Sequence, residues 1–220
     1  MRYTCAVFDM DGTILDTLDD LRTALNRALR ISGYPERTRD EVRRFVGNGV
    51  KMLIRRAAPQ DITEDRFAKL LSDFREWYNA HASDETRPYA GIREAIASLR
   101  AAGIKTAVVS NKSDEGVRIL CAEFFGGMFD VYLGVTEETR PKPAPDLVRR
   151  ALDLLGAEPS QSVYIGDTEV DVQTAANSGL DFIGVLWGFR GRETLTELGV
   201  TELAEAPTAL PSMILSHPIG

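Results

Sequence analysis

The chain has 220 residues, a net charge of −7 and an apolar share of 44%. That length suffices for one large domain, or a domain carrying a smaller insert, without disulfides or a structural metal. The negative balance argues against nucleic acid as a partner, because phosphate backbones need clustered Lys and Arg. No apolar run reaches the length of a transmembrane helix, so no membrane partner is expected. Cys5 and Cys121 form no paired framework, and no stretch of signal-peptide length precedes Asp9. The expected location is therefore the reducing cytoplasm.

The run Tyr3–Phe8 reads as a buried strand that stops at the polar turn Asp9-Met10-Asp11-Gly12-Thr13. The period then becomes helical. Thr17 with Asp20 resembles a capping box, and Leu18, Leu21, Leu25 and Leu29 follow at helical spacing up to Gly33-Tyr34-Pro35. Thr38 with Glu41 is a second box. Gly47-Asn48-Gly49 breaks the pattern before a short helix over Val50–Ala57, and Thr63 opens another with Phe67, Leu70, Phe74, Trp77 and Tyr78. Residues 17–84 thus read as an inserted α-helical cap domain.

Beyond the hinge-like Pro88-Tyr89-Ala90-Gly91, strands and helices alternate. Helices are expected over Ile92–Ala102, Gly116–Phe125, Ala144–Leu155 and Val170–Asn177. Strands are expected over Ile104–Val109, ending at Ser110, then Phe129–Val135, Ser162–Ile165 and Phe182–Trp187. Single helices between apolar strands imply parallel pairing, so residues 1–16 and 85–220 should form a doubly wound, mainly parallel α/β core, Rossmann-like in plan. The stretch after Gly199 carries little signal beyond a short helix at Leu210–Leu215.

Polar residues gather where these strands end: Asp9 and Asp11, Ser110 and Asn111, then Lys142, then Asp167 and Asp171. Carboxyl ends of parallel strands line the ligand crevice of such sheets, so the topology should bring these distant residues together. Up to four carboxylates around one lysine repel one another unless a divalent cation sits among them, and an all-oxygen donor set suits Mg²⁺. The remaining groups are donors: Lys142, Ser110, Asn111 and the amides of the Asp9–Thr13 turn. Donors and a metal around a carboxylate suit a phosphoryl group.

These segments resemble the motifs of the haloacid dehalogenase superfamily of phosphohydrolases. Asp9-Met10-Asp11-Gly12-Thr13 is similar to its first motif, Ser110 to its second, Arg140–Asp146 to its lysine motif, and Gly166–Asp171 to its acidic one. An acid at position 11 implies a phosphatase or phosphomutase and not a dehalogenase. Within the superfamily the chain is most similar to the phosphoglycolate phosphatases, through the helical insert, Val46-Gly47-Asn48-Gly49, Ser110-Asn111-Lys112 and Trp187-Gly188-Phe189. Arg190 departs from the resemblance, since many relatives are small or differently spaced at that point.

The resemblance implies that Asp9 attacks phosphorus to give an aspartyl-phosphate, and that Asp11 protonates the leaving oxygen and then activates water. It implies Mg²⁺ held by Asp9, Asp11 through its carbonyl, and Asp167, with Asp171 supporting the metal's waters or orienting Lys142. Phosphate is expected against Met10, Gly12, Thr13, Ser110, Asn111 and Lys142. The cap is expected to close over the site, with Asn48, Gly49 and Lys51 meeting a second anionic group of the substrate. The expected partner is a small phosphorylated metabolite, with monomer or homodimer left open. A phosphomutase, a pyrophosphatase or sugar-phosphate phosphatase, and a non-catalytic phospho-switch are the rival readings.

Overall fold

In the computed structural model, which describes residues 3–216, Cys5–Phe8 form strand β1 with all four residues buried. Two short connecting strands, β2 (Leu15–Asp16) and β3 (Arg87–Pro88), pair with each other. The others are β4 (Lys105–Ser113), β5 (Val131–Val135), β6 (Ser162–Gly166), β7 (Asp181–Val185) and β8 (Leu203–Ala204). With β1 they form one sheet in the order β5-β4-β1-β6-β7-β8, every neighbouring pair parallel. Counted within the sheet this is third, second, first, fourth, fifth, sixth: the doubly wound order, whose direction of winding reverses between β1 and β6.

The helices are α1 (Leu18–Ile31), α2 (Arg39–Phe45), α3 (Gly49–Ala57), α4 (Glu64–His81), α5 (Ile92–Ala101), α6 (Asp114–Phe125), α7 (Asp146–Leu155), α8 (Glu169–Ser178), α9 (Arg192–Glu197) and α10 (Leu210–Leu215). On one face of the sheet Cys5, Val7, Ala107, Val109 and Tyr164 pack with Leu147, Val148, Ala151 and Leu152 of α7 and Ala175 of α8. The alternate residues Ala6, Phe8, Val108 and Ile165 are equally buried. Both faces are therefore covered, which is why β1 reads as an unbroken apolar run.

The expected α/β class, with a helical insert after the first strand, is the one the chain adopts. Two details differ. Strand β4 continues to Ser113, because a register irregularity between Val109 and Ser113 lets it resume pairing with β5 beyond Ser110. Helix α9 and strand β8 escaped the pattern reading: the helix buries a single residue, Leu195, and the strand is two residues long. The short helix expected at Leu210–Leu215 forms as α10.

By internal packing the chain divides into two compact units, one of residues through Leu15 and from Pro88 on, the other Asp16–Arg87. In the second, α1 packs on α2 and α4, and α3 on α2 and α4. Its core holds Leu25, Leu29, Val42, Ile54, Leu70 and Phe74. The Thr38–Glu41 capping box forms. The expected Thr17–Asp20 box does not: the Thr17 side chain makes no cap bond. Asp20 is buried, and a buried carboxylate needs donors. It takes the backbone N–H groups of Glu85 (3.0 Å) and Thr86 (2.8 Å), tying the end of this unit to its start.

Candidate active site

Asp9 follows β1 directly, and its N–H donates to Ile165 O of β6 (2.9 Å), which fixes it at the switch point of the sheet. The next residues fold back on themselves. Thr13, Ile14 and Leu15 all donate N–H bonds to Met10 O, and Gly12 N–H donates to Leu15 O (2.8 Å). The amides of Gly12 and Thr13, expected as phosphate donors, are thus committed to the shape of the turn. Gly12 has φ +87°, and a Cβ there would stand 2.4 Å from Asp167 Oδ2. Only glycine allows this turn to approach the acid so closely.

Asp167 and Asp171, after β6, are fully buried, and Asp9 nearly so. Oxygens of these three lie within 4.8 Å of one another. Asp167 Oδ1 accepts from Thr13 Oγ1 (2.9 Å) and Oδ2 from Phe189 N–H (2.7 Å). Gly188 backs it, since a Cβ there would meet Asp167 Cβ at 2.4 Å. The same loop places Trp187 Nε1 on Thr13 O (2.9 Å), and Arg190 on the Glu169 carboxylate (2.9 and 3.1 Å). Arg190, left without a role by the sequence, thus ties this loop to the start of α8.

Lys142 is buried among the acids. Its Nζ donates to Asp9 Oδ1 (2.7 Å), Asp171 Oδ1 (2.8 Å) and Tyr164 Oη (2.9 Å). Asp171 Oδ2 accepts both the N–H (3.1 Å) and the hydroxyl (2.6 Å) of Thr168, while Tyr164 Oη also donates to Oδ1 (3.2 Å). A carboxylate offers about four lone-pair positions, and Asp171 is well supplied by protein donors. These bonds let it orient Lys142, while its oxygens stay in the group of three acids that could hold a metal ion. Asp9 and Asp167 are the pair whose acceptor capacity the protein leaves partly unused.

Burial, then the charge of Asp171, pushes the Asp9 carboxyl up to about 7 against the opposing pull of Lys142. Burial, then the charges of Asp171 and Asp9, push Asp167 well above the carboxylate range. Burial opposes the charge on Lys142, but the carboxylates of Asp171 and Asp9 outweigh it and hold the ammonium charged. Ionised together, the three acids would outnumber the one ammonium, and a divalent cation on oxygen ligands fits that excess of negative charge.

Ser110 is buried on β4, and its Oγ accepts from Lys112 N–H (3.2 Å). The Asn111 side-chain amide is turned to the lysine loop and clamps it, with Nδ2 on Lys142 O (3.1 Å) and Oδ1 receiving Lys142 N–H (2.7 Å). The Asp11 side chain stands outside the carboxylate trio and pairs with Lys112 Nζ (2.7 Å). Lys112 and Tyr164 were both missed as site residues. Lys112 follows directly on Ser110-Asn111, a signal that was available. Tyr164 carried none, because it reads as one more apolar strand residue.

In the helical unit, Asn48 precedes α3 without capping it, and its Oδ1 accepts from Arg56 Nη2 (2.6 Å). Gly49 has φ +77°, and Lys51 is exposed.

The switch point of this doubly wound sheet thus carries a buried acid trio, a lysine and a hydroxyl. The sequence matches a family model, haloacid dehalogenase-like hydrolase, over residues 6–185, and the chain belongs to that family. Within it the chain is a phosphatase and resembles the phosphoglycolate phosphatases. One of these, from Psychrobacter arcticus, is 32% identical over 219 residues, covering 95% of this chain and 94% of that protein. A crystal structure from Lactobacillus delbrueckii subsp. bulgaricus, itself named by inference as a phosphoglycolate phosphatase, is 38% identical with a TM-score of 0.95, over 99% of this chain and all of that one. CbbY from Rhodobacter sphaeroides, solved in complex with phosphate, is 27% identical with a TM-score of 0.76, over 94% of this chain and 96% of that one. No helix among the described residues is long and apolar enough to cross a membrane.

Proposed function

We propose that the chain hydrolyses a small phosphate monoester through an aspartyl-phosphate on Asp9, in the presence of Mg²⁺, with 2-phosphoglycolate as the first substrate to try. The observation that carries this reading is the buried cluster in which Lys142 bridges Asp9 and Asp171 beside Asp167. The likeness to phosphoglycolate phosphatases supports the substrate class.

Asp9, Asp167 and the Asp11 carbonyl would hold the metal, which would offset the charge excess and polarise the phosphoryl group. Asp9 Oδ2 is the oxygen left to attack phosphorus, since Oδ1 is held by Lys142. Lys142 and the Ser110 hydroxyl bind phosphoryl oxygens as charge builds there. Asp11 delivers the proton to the departing oxygen, with Lys112 fixing its side chain. Asp11, left ionised, then takes a proton from the water that attacks the aspartyl-phosphate, the bond from Asp9 oxygen to phosphorus breaks, and inorganic phosphate leaves. Two buried, unpaired thiols, Cys5 and Cys121, fit a reducing compartment and support a cytoplasmic location.

Incubation with a panel of phosphate esters and Mg²⁺ tests the reading. Release of inorganic phosphate, abolished by a chelator and restored by Mg²⁺, is expected. Phosphate moved between positions of one sugar with none released would point to a mutase, and unchanged rates in excess chelator would remove the metal.

A further inference from the structure

The Lys142 ammonium raises a valence problem. It has three N–H donors and no more, and Asp9, Asp171 and Tyr164 take one each. A phosphoryl oxygen can bind Lys142 only in place of one of them. Two of the three acceptors are carboxylates, which hold a charged donor more strongly than a neutral hydroxyl does. Releasing either would leave a buried negative charge short of its partner, a heavy penalty. Tyr164 is different. Burial pushes its phenol well above the ordinary range, so it stays neutral. Its own proton goes to Asp171 Oδ1 (3.2 Å), so losing Lys142 strands no donor. Its ring is fully buried on β6 and stacked with Phe182 (centroids 6.3 Å apart, planes 20° apart), so it does not follow a moving lysine.

We propose that Tyr164 is a positioning residue whose hydroxyl holds the third N–H of Lys142 until a phosphoryl oxygen replaces it. The inference rests on the phosphatase reading and deepens it. Tyr164 keeps the ammonium aimed while substrate is away, and binding exchanges one acceptor for another without disturbing Asp9 or Asp171.

The test is Tyr164→Phe, which keeps the ring and deletes the acceptor. In the free variant one buried N–H of Lys142 loses its partner, while in the phosphate-bound variant it does not. Inorganic phosphate should therefore bind the variant roughly five- to tenfold more tightly than the wild type in Mg²⁺, measured by calorimetry. KM should fall with it. A merely structural tyrosine would lower the melting midpoint and leave phosphate affinity unchanged or weaker, and that result overturns the proposal. A crystal structure of the wild type with phosphate bound gives a test independent of the variant. Lys142 Nζ should be on a phosphate oxygen and beyond hydrogen-bond reach of Tyr164, and retention of all three present contacts would refute the exchange. Wild-type protein that neither binds phosphate nor releases it from esters sinks the phosphatase reading itself. Wild-type activity with unchanged affinity in Tyr164→Phe sinks only the role of Tyr164.

Discussion

The ion pairs at the carboxyl edge of the sheet differ in kind from those of the helical unit, although the α/β unit carries exposed pairs too, such as Arg140–Asp146 and Arg118–Asp114. In the helical unit they lie on the surface: the side chains of Arg30–Glu36 are 68% and 49% exposed, and those of Lys69–Asp73 65% and 16%. Such pairs are screened by solvent and contribute little. At the carboxyl edge of the sheet, Lys142 and Asp171 are 2% and 0% exposed, and Asp9 is 9% exposed. Burying these charges opposes folding, and only their mutual pairing and hydrogen bonds offset the cost. A protein that solves its solubility with exposed pairs has no structural need for the buried set. The difference marks the sheet edge as the place where stability is given up for chemistry.

Breaking the buried set should have the largest effects. Asp9→Asn should lower kcat on the order of a thousandfold or more while the fold persists, because the change is nearly isosteric. Phosphate release alongside circular dichroism checks both halves, and substantial residual turnover would count against covalent catalysis. Lys142→Met should abolish turnover too, and should also cost about 3–5 kcal/mol of stability in chelator, because Asp9 and Asp171 lose their shared counter-charge. An unchanged denaturant midpoint would mean that the acids are not charged together.

Gly188→Ala tests the packing behind the acids. Its Cβ would collide with Asp167 Cβ, so kcat should fall by about a hundredfold with a smaller loss of stability. Wild-type kinetics would show that the loop shifts freely.

The pH response should differ between metal-free and metal-loaded protein. With Asp9 raised to about 7 and Asp167 raised in the same direction, the folded metal-free chain keeps protons that the unfolded chain releases above about pH 4. Folded protein then binds more protons across that window, and its stability falls as pH rises toward 7. In chelator the melting midpoint should be a few degrees higher at about pH 5.5 than at about pH 8. Mg²⁺ should shrink or reverse the difference, and a midpoint that rises with pH in chelator would contradict the charge excess. Smallest of all, Lys69→Ala and Arg30→Ala should each move the midpoint by less than about 2 °C.

The sequence carried the frame of this site and few of its fine contacts. Strand β1, the turn after it, Ser110, Lys142 and the two late aspartates could be read because each stands just past an apolar run. Who bonds to whom could not. Lys142 reaches Asp9 across 133 positions and Lys112 reaches Asp11 across 101, distances at which periodicity is silent. Asn111 was expected only to face phosphate, and its side chain also clamps the backbone of Lys142. Asp20 looked like a local helix signal and proves to be a long-range tie, since a short polar side chain looks the same in either role.

Covalent hydrolysis requires the phosphoryl group to pass through Asp9. Rapid acid quench of the wild type during turnover in Mg²⁺, followed by mass analysis of its peptides, measures this directly. One added phosphoryl group on the peptide containing Asp9, absent in Asp9→Asn, is the expected result. Full turnover with unmodified Asp9 at every quench time, or the phosphoryl group on another side chain, would contradict it.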